Sequence, residues 1–571
     1  EVVKEFDLIS GEFVAGGFQV PASRTWAVWL GEDQLLIQHT VGEAPARTVA
    51  GWPAEVKLWR RGQVLAEAET VFAAQASDAL IFLAGSGDSE QRGAVIVRAI
   101  DYSHFEFWHF TIEGGLNRID LPPTVKFMFP TPVSARHVFV QLSSATVIDG
   151  REWPAETILA YDLSPTGEAS SPLSVVYEPQ PGEYLINGLT GGLVANDQKL
   201  WLAFDRRGTQ QVAVAHWRSD EWLLERWAPE APGVTVTFAD AHHLSSAVVV
   251  QRSGLLQPDE LSWMANARGA PRRVFAERPL FDHTRFDVSL HTAVSADGTE
   301  IDYFLLSPIG PEVNRPVPLL MTGYGAFGLS YSPAYLDSFV GGRSLVPWLE
   351  QGGALVVPLI RGGGERGAAW HVAAMREHRQ RSYDDFAAVA EDLLAQGVTT
   401  RQKLGVFGMS NGGLLAAVMG TQRPDLFAAV VSDVPLTDML RYPEMGMGAA
   451  WINEYGDPNV EEMATVLRSY SPFHNVSPER DYPAFLISVA TSDNRVGPGH
   501  ARKLAARLAE AAGRAGGRVP RGLRRGPLPR GVLPAGESRI RFAGQPLRSC
   551  LALRERARRL GADDGAAAVP A

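Results

Sequence analysis

One six-residue stretch, Gly-Met-Ser-Asn-Gly-Gly at positions 408–413, constrains the fold of this chain more than any other. It has the form Gly-x-Ser-x-Gly, in which the serine stands at a sharp turn between a strand and a helix and the glycines leave room for that turn. Such a turn holds a serine hydroxyl clear of its own backbone, as a nucleophile requires. By composition alone, the string occurs in about one of three chains of this length, so its surroundings decide its meaning.

The residues on both sides of Ser410 fit this turn. Positions 404–407 form a short apolar run typical of a buried strand, and positions 414–419 favour a helix. The sequence therefore predicts a strand, a nucleophile elbow at Ser410 and a helix, in that order.

From about residue 285, apolar runs alternate with helical patterns. One helical pattern, at 383–394, places its apolar residues on a single stripe. Continuous apolar strands between helices indicate a mainly parallel, doubly wound sheet that is covered on both faces. We therefore predict an α/β-hydrolase domain over residues 281–510, with strands at 317–321, 354–360, 404–407, 427–431 and 484–489.

Residues 1–280 have an all-β pattern instead. Short apolar or aromatic runs recur between turn clusters such as 31–33, 86–88 and 205–208, and no convincing helical period is present. Many short strands at this spacing are typical of a sandwich, a barrel or a propeller. The runs lie at 26–30, 94–97, 138–140, 200–204 and 247–250.

Composition limits the class of protein. A chain of 571 residues that is 45% hydrophobic can bury at least two cores. Its net charge of −11 gives no reason to expect nucleic acid or an anionic membrane as a partner, and no apolar run is long enough to span a bilayer. The single cysteine, Cys550, suits a reducing compartment, and we expect a cytoplasmic protein. We also expect a monomer. Because the chain begins with Glu1 rather than methionine, we expect a segment to be missing there, and an export signal stays open.

The last 61 residues, 511–571, differ from the rest. They hold 13 arginines, no lysine and four acidic residues, a net charge of +9, and they are rich in glycine and proline. Two interpretations stay open: a disordered basic tail, or a shifted reading frame in a GC-rich gene.

Other residues after Ser410 and before it complete part of a catalytic site. In an α/β-hydrolase the acid follows the serine in chain order, and Asp493 comes just after the strand at 484–489. The backbone N–H of Asn411 and the loop at 322–325, which contains Tyr324, could form an oxyanion hole. The alternatives are an ordinary loop aspartate for Asp493 and a packed aromatic residue for Tyr324.

The general base is missing from this pattern. No histidine follows His500, and His500 itself lies at the start of a helix, where packing is the better interpretation. His371 and His378 precede the serine and read as surface or hydrogen-bonded core residues. By its own residues the chain has a nucleophile, an acid and an oxyanion site without a convincing base.

Five blocks between about 280 and 510 resemble the prolyl oligopeptidase family of serine peptidases. They come in the family's order, and two weaker blocks at 5–8 and 56–59 are similar to its bacterial branch. The five are Tyr-Gly-Ala-Phe-Gly at 324–328, Arg-Gly-Gly-Gly-Glu at 361–365 with Trp-His at 370–371 and Tyr-Asp-Asp-Phe at 383–386, the region 410–427, Ala-Trp with Glu-Tyr-Gly at 450–456, and Asp-Asn-Arg-Val at 493–496.

The resemblance implies an α/β-hydrolase domain capped by a seven-bladed propeller that admits only short peptides. It implies that Ser410 is the nucleophile and that Asp493 orients the base, with no metal or cofactor. It also implies an oxyanion hole formed by Tyr324 and Asn411. The substrate proline would meet a pocket formed by Phe327, Trp451, Tyr455, Arg495 and Val496, in which Trp451 stacks on the ring and Arg495 bonds a carbonyl. The alternatives are a loop ion-pair cluster for Asp493 with Arg495, and core aromatics for Trp451 with Tyr455.

The sequence departs from the family in two ways, and three hypotheses about its function stay open. About 280 residues suffice for five to six blades of 40–50 residues, and the family's histidine near the C-terminus is absent. We expect a serine oligopeptidase that cleaves short peptides after proline. The alternatives are a peptide-binding protein without turnover, or a peptidase that prefers arginine or lysine in the manner of oligopeptidase B, for which Glu454 is the candidate carboxylate.

Overall fold

The computed structural model describes residues 2–514 apart from short gaps. The gaps are 43–45, 86–92, 102–103, 127, 129–130, 135, 165–171, 187–191, 197–198, 207, 220, 228–229, 231–232, 242–246, 265–270, 312, 314 and 337–341. The predicted turn at 86–88 and all but four residues of the predicted tail at 511–571 lie outside the described residues.

Five antiparallel sheets follow one another along the first 276 residues, with two small hairpin sheets before them. The hairpin sheets pair Val3–Lys4 with Gln19–Val20 and Phe6–Asp7 with Glu12–Phe13. The first sheet contains Thr25–Trp29, Gln34–His39, Glu55–Arg60 and Glu69–Ala73. The second contains Leu80–Gly85, Gly93–Ala99, Phe105–Thr111 and Gly115–Ile119.

The remaining three sheets have the same plan. The third contains Val125–Lys126, His137–Leu142, Ile158–Asp162 and Leu173–Tyr177, with a hairpin of Thr146–Ile148 and Arg151–Trp153 beside it. The fourth contains Tyr184–Leu185, Leu193–Asn196, Lys199–Arg206, Thr209–Arg218 and Glu221–Arg226. The fifth contains Val234–Ala241, Val248–Gly254, Glu260–Met264 and Arg272–Ala276.

Successive sheets pack face to face, as propeller blades do. In the second sheet Ile96 packs toward the first sheet, whereas Val95 and Val97 pack toward the third. In the fourth, Leu200 packs toward the third sheet and Trp201 toward the fifth. Because the central strands are buried on both faces, they read as continuous apolar runs rather than as alternating ones. The five sheets agree with the expected five to six blades.

The second half of the chain forms one mixed seven-stranded sheet. Its strands are β1 (Phe286–Val294), β2 (Glu300–Pro308), β3 (Leu319–Thr322), β4 (Ala354–Pro358), β5 (Leu404–Met409), β6 (Ala429–Asp433) and β7 (Ala484–Ser488). They lie in the order β1-β2-β4-β3-β5-β6-β7. Strands β3 to β7 run parallel to one another, and β2 is antiparallel to both of its neighbours, β1 and β4.

Helices cover both faces of this sheet, as the continuous apolar strands predict. Val356 of β4 packs on the face that also holds Phe386 of α3 and Leu415 of α4, while Val357 packs with Leu349 of α1. The helices are α1 (Val346–Glu350), α2 (Gly367–Val372), α3 (Gln380–Ala395), α4 (Asn411–Gln422), α5 (Ile452–Tyr455), α6 (Glu461–Tyr470), α7 (Pro472–Asn475) and α8 (Gly499–Arg514).

The observed boundaries differ from the predicted ones by a few residues. Strand β3 begins at Leu319 rather than 317, because Val317 is bonded through its N–H to Val398 outside the sheet. Helix α8 continues to Arg514, so the change in composition at 511 does not end the helix. Among the described residues, no helix is long and apolar enough to cross a membrane.

Candidate active site

Ser410 stands between β5 and α4 in a strained backbone conformation. Its φ of 60° and ψ of −117° lie in a region that non-glycine residues rarely adopt. Its N–H donates to the Asp433 carbonyl oxygen at the end of β6, with a distance of 2.9 Å. The strand, strained serine and helix are the predicted nucleophile elbow.

Two glycines make this turn sterically possible. A Cβ on Gly408 would lie 1.9 Å from the carbonyl oxygen of Gly412, and a Cβ on Gly412 would lie 2.6 Å from the carbonyl oxygen of Gly323. Neither contact is tolerated by a real side chain, so the first turn of α4 approaches both β5 and the loop after β3 only because these residues are glycines.

The loop after β3 places Tyr324 beside Ser410. Burial raises the pKa of Tyr324, while the charge of Arg495 and hydrogen bonding with the Ser410 side chain lower it. The phenol therefore stays protonated at neutral pH and can donate to an oxyanion. Asn411 supplies the first N–H of α4, at the end of the helix where N–H groups lack helical partners.

The Asn411 side chain joins several parts of the site. Its Nδ2 donates to the Tyr324 carbonyl oxygen at 2.5 Å, and its Oδ1 accepts from the Tyr455 hydroxyl at 2.8 Å. The same Oδ1 accepts from Nη2 of Arg379 at 2.9 Å. One buried amide thus connects the elbow, the loop after β3 and the short helix α5.

Four of the five residues expected to form the proline pocket belong to one apolar cluster, and Arg495 does not. Trp451, Tyr455 and Val496 are buried in it, and Phe327 packs against it. The Phe327 and Tyr455 rings meet edge to face, with centroids 5.8 Å apart. Trp451 ends a 3₁₀ helix (Gly448–Trp451) and Tyr455 ends α5.

Asp493 lies in the loop after β7 and organises that loop. Its Oδ1 accepts from the backbone N–H groups of Arg495 and Val496, both at 2.9 Å. The carbonyl oxygen of Arg495 accepts from the Met447 N–H at 2.8 Å, which ties this loop to the segment before Trp451. The charge of Arg495 in turn acts on Tyr324. Both of these bonds to Asp493 come from the backbone of its own loop.

Four described histidines of this domain have partners elsewhere than Ser410. Nε2 of His371 lies 2.7 Å from the Glu454 carboxylate, and Nδ1 of His474 lies 2.8 Å from the Ser471 hydroxyl. His378 is half exposed beside Glu377. His500 is fully buried, and its Nδ1 accepts from the N–H groups of Thr437 and Asp438, both at 3.1 Å. Burial lowers the pKa of His500 to about 4. These contacts agree with the structural roles expected for His371, His378 and His500.

A buried pair of charged residues, Arg379 and Glu454, lies behind Asn411 and was not predicted from the sequence. Arg379 precedes α3, is fully buried and contacts both Asn411 and Glu454. Glu454 also accepts from the Phe327 N–H at 3.1 Å. The one available signal was the place of Glu454 inside the Trp451–Tyr455 segment. Nothing in the local sequence distinguishes Arg379 from the exposed Arg376 near it.

Comparisons with known proteins bear on the family and fold of this chain. The model of the Prolyl oligopeptidase family matches residues 342–518. The chain is 33% identical, over 89% of its length and 69% of the other protein, to "Uncharacterized peptidase y4nA" of Sinorhizobium fredii. It is also 38% identical, over 38% of its length and 30% of the other protein, to the prolyl endopeptidase of Elizabethkingia miricola.

The solved structure of a post-proline cleaving enzyme from Rickettsia typhi superposes with a TM-score of 0.79 and 25% identity, covering 89% of this chain and 74% of that one. Oligopeptidase B from Leishmania major, at 19% identity and a TM-score of 0.74 over 89% and 69% of the two chains, shares the fold. These likenesses confirm the predicted fold class, a β-propeller with an α/β-hydrolase domain. On the strength of the family match and of its Sinorhizobium relative, this chain belongs to the prolyl oligopeptidase family of serine peptidases.

Proposed function

We propose that this chain binds short peptides with a proline before the scissile bond and presents Ser410 to the proline carbonyl. The observation that carries the proposal is the joining of three elements by Asn411. Its side chain bonds the loop of Tyr324 and the hydroxyl of Tyr455, while its N–H begins the helix beside Ser410. Nucleophile, oxyanion donors and pocket are thereby held as one unit.

The chemistry follows from that unit. The Ser410 oxygen forms a bond to the substrate carbonyl carbon, its proton passes to a base, and the carbonyl oxygen becomes an oxyanion that accepts from Tyr324 and Asn411. When this tetrahedral intermediate collapses, the peptide bond breaks and the leaving amine takes a proton. Water then hydrolyses the ester between the proline carbonyl and Ser410. Asp493, at the end of β7, has the place of the group that orients the base.

Proline preference is supported by the apolar, aromatic walls of the pocket. A flat pyrrolidine ring gains most from an aromatic face such as that of Trp451. An arginine or lysine preference has less support, because the Glu454 carboxylate already faces Arg379 at 3.2 Å and His371 at 2.7 Å. The relatives named prolyl endopeptidase and post-proline cleaving enzyme agree with the proline assignment.

We assign the domain of residues 1–280 to size selection. It contacts the hydrolase domain close to the site. Oε1 of Glu156 accepts from the Ala368 N–H of α2 at 2.9 Å, and Nε1 of Trp52 lies 3.4 Å from the Met447 sulfur, near Trp451. Stacked sheets over the pocket would admit a short peptide and exclude a folded protein.

A second candidate function is peptide binding with little turnover. It is favoured by one observation: the sequence has no histidine after His500, and His371, His474 and His500 are bonded elsewhere. Loss of the base costs orders of magnitude in rate while binding and the oxyanion hole persist.

Fluorogenic peptides with proline, arginine, lysine or alanine before the bond separate these candidates. We expect the proline peptide to be hydrolysed fastest by the full chain and not at all by Ser410→Ala. Hydrolysis of the arginine peptide at an equal or greater rate would contradict the proline assignment. Binding of the proline peptide without any hydrolysis would support the second candidate.

The pocket has its own test in Trp451→Ala. We expect it to weaken binding of a proline-terminated peptide about tenfold or more, because the aromatic face and its buried area are lost. Trp263→Ala, on the fifth sheet and 38% exposed, is the matched control and should bind as wild type does. Unchanged binding by Trp451→Ala would show that the proline ring does not lie there.

A further inference from the structure

Arg379 brings a full positive charge into the interior beside the oxyanion site. Its side chain has no exposed surface. Nη1 donates to the Glu454 carboxylate at 3.2 Å and to the Ala374 carbonyl oxygen at 3.5 Å, and Nη2 donates to Oδ1 of Asn411 at 2.9 Å. A buried cation costs free energy unless partners compensate it, so these contacts fix the guanidinium closely in place.

Glu454 is the counter-charge and has two further contacts. Its Oε1 accepts from the Phe327 N–H at 3.1 Å, and its Oε2 lies 2.7 Å from Nε2 of His371. Burial alone would raise the pKa of Glu454, but His371, Arg379 and the Phe327 N–H together lower it. The group is therefore a carboxylate that holds the pocket residue Phe327 and Arg379 at the same time.

Asn411 is another hydrogen-bond partner of the Arg379 guanidinium, beside Glu454. Its Oδ1 accepts from both Arg379 and Tyr455, and its Nδ2 donates to the Tyr324 carbonyl oxygen. A reversed amide would turn its NH₂ group toward the guanidinium, which has no acceptor. Arg379 thus sets which way the amide faces, and with it the position of the Tyr324 loop.

We propose that Arg379 is a positioning residue for the oxyanion hole, acting through the Asn411 amide and held by Glu454. This inference rests on the proposed function. It assigns Arg379 no contact with substrate. Without the guanidinium, the amide of Asn411 loses its fixed orientation, and the Tyr324 hydroxyl and the first N–H of α4 no longer converge on one point. Donors that are misplaced by a fraction of an ångström stabilise an oxyanion poorly.

The test compares two ligands on the full chain. A peptidyl boronic acid with proline at its C-terminal position forms a tetrahedral adduct with Ser410 and places a boronate oxygen in the oxyanion hole, whereas a product peptide ending in proline fills the pocket without an adduct. Calorimetry on Arg379→Met should show boronate affinity reduced at least about tenfold. Product-peptide affinity should stay within about threefold of wild type. The matched control Arg381→Met, two residues later, should leave both affinities unchanged.

The outcomes separate this inference from the proposed function. Equal losses for both ligands, or no loss for either, would overturn the positioning role, since a merely structural role affects both alike. If Arg379→Met does not fold, Arg379→Lys replaces it in the test. Lysine keeps the positive charge facing Glu454 but lacks the planar guanidinium group. We again expect reduced boronate affinity with little change in product-peptide affinity. If wild type binds the product peptide but forms no adduct, the role of Ser410 fails first and the inference fails with it. If wild type binds the boronate and the Arg379 variants bind it equally well, the positioning role of Arg379 is contradicted while the proposed function stands.

Discussion

The two sides of this site are built differently, although both stand at the carboxyl edge of one sheet. The nucleophile side comprises Ser410, Asn411 and Tyr324 with the groups behind them, and its contacts come from β5, the loop after β3, α4, α5 and the residue before α3. The acid side comprises β7 and the loop that carries Asp493. There, the contacts of the carboxylate come from its own loop, through the N–H groups two and three residues ahead.

The supporting strands differ in the same way. Val406 of β5 is 1% exposed, whereas Leu486 of β7, the edge strand of the sheet among the described residues, is 56% exposed. A side chain that is fixed by several distant elements keeps its position when one contact is lost, whereas the Asp493 carboxylate depends on two N–H groups of its own loop. We infer that the acid side is displaced more easily than the nucleophile side.

The largest effect is expected from breaking the nucleophile side at Gly408. Gly408→Ala places a Cβ 1.9 Å from the Gly412 carbonyl oxygen, so β5 and α4 must separate. We expect a loss of more than about 3 kcal/mol in the free energy of unfolding, together with loss of boronate binding. Denaturant unfolding and calorimetry measure the two effects.

Gly405→Ala is the matched control, on the same strand. Its Cβ would lie 3.4 Å from the nearest atom, an ordinary contact distance. It should unfold and bind as wild type does. Equal behaviour of the two alanine variants would show that the elbow is not sterically closed.

A smaller effect is expected on the acid side when the pH falls. His500, at the start of α8, is buried with a pKa lowered to about 4 by burial, with Asp438 raising the pKa and Lys503 lowering it. Because the unfolded chain then binds the proton more readily, stability is full above pH 6.5 and is lost as the pH falls toward 4. The shift from 6.5 to about 4 corresponds to roughly 3 kcal/mol at most.

Unfolding free energies at pH 7 and pH 4.5 measure this dependence. His500→Asn should be less stable at pH 7 but should lose less on acidification than wild type. His378→Asn, at an exposed position, should keep the wild-type slope. The buried His137, whose pKa burial also lowers to about 4, accounts for part of the slope that remains. An identical slope in His500→Asn and wild type would contradict the assignment.

The smallest effect is expected from Asp493. Asp493→Ala removes the acceptor of the Arg495 and Val496 N–H groups and should cost about 1–3 kcal/mol. Affinity for a proline-terminated peptide should fall a few-fold, because the same loop carries pocket residues. Asp493→Asn keeps an acceptor oxygen and should restore most of both quantities. If Asp493→Asn abolished boronate binding while the loop stayed folded, the acid side would act directly on Ser410, contrary to this comparison.

The sequence predicted those parts of the molecule that local pattern controls. The elbow depends on five consecutive positions, so the glycines at 408 and 412 were enough to locate Ser410. The blades were predicted as β-structure because apolar runs and turns recur. Which neighbouring sheet each side chain packs against could not be predicted, because central strands such as 94–97 are apolar on both sides. Strand ends moved where a residue such as Val317 finds a partner outside the sheet.

The rest of the site could not be read from the sequence. Arg379 and Glu454 are 75 positions apart, and a charged residue in a polar stretch predicts exposure rather than burial. Their ion pair exists because the turn before α3 meets α5 behind Asn411, which is a fact of tertiary packing. The orientation of the Asn411 amide follows from that meeting and has no sequence signal of its own.

The most direct test of the account is a crystal structure of the full chain with a peptidyl proline boronic acid. We expect a bond from boron to the Ser410 oxygen. One boronate oxygen should lie within hydrogen-bond distance of the Tyr324 hydroxyl and the Asn411 N–H, and the proline ring should lie against Trp451. A ligand bound without a bond to Ser410, or with its proline ring away from Trp451, would contradict it.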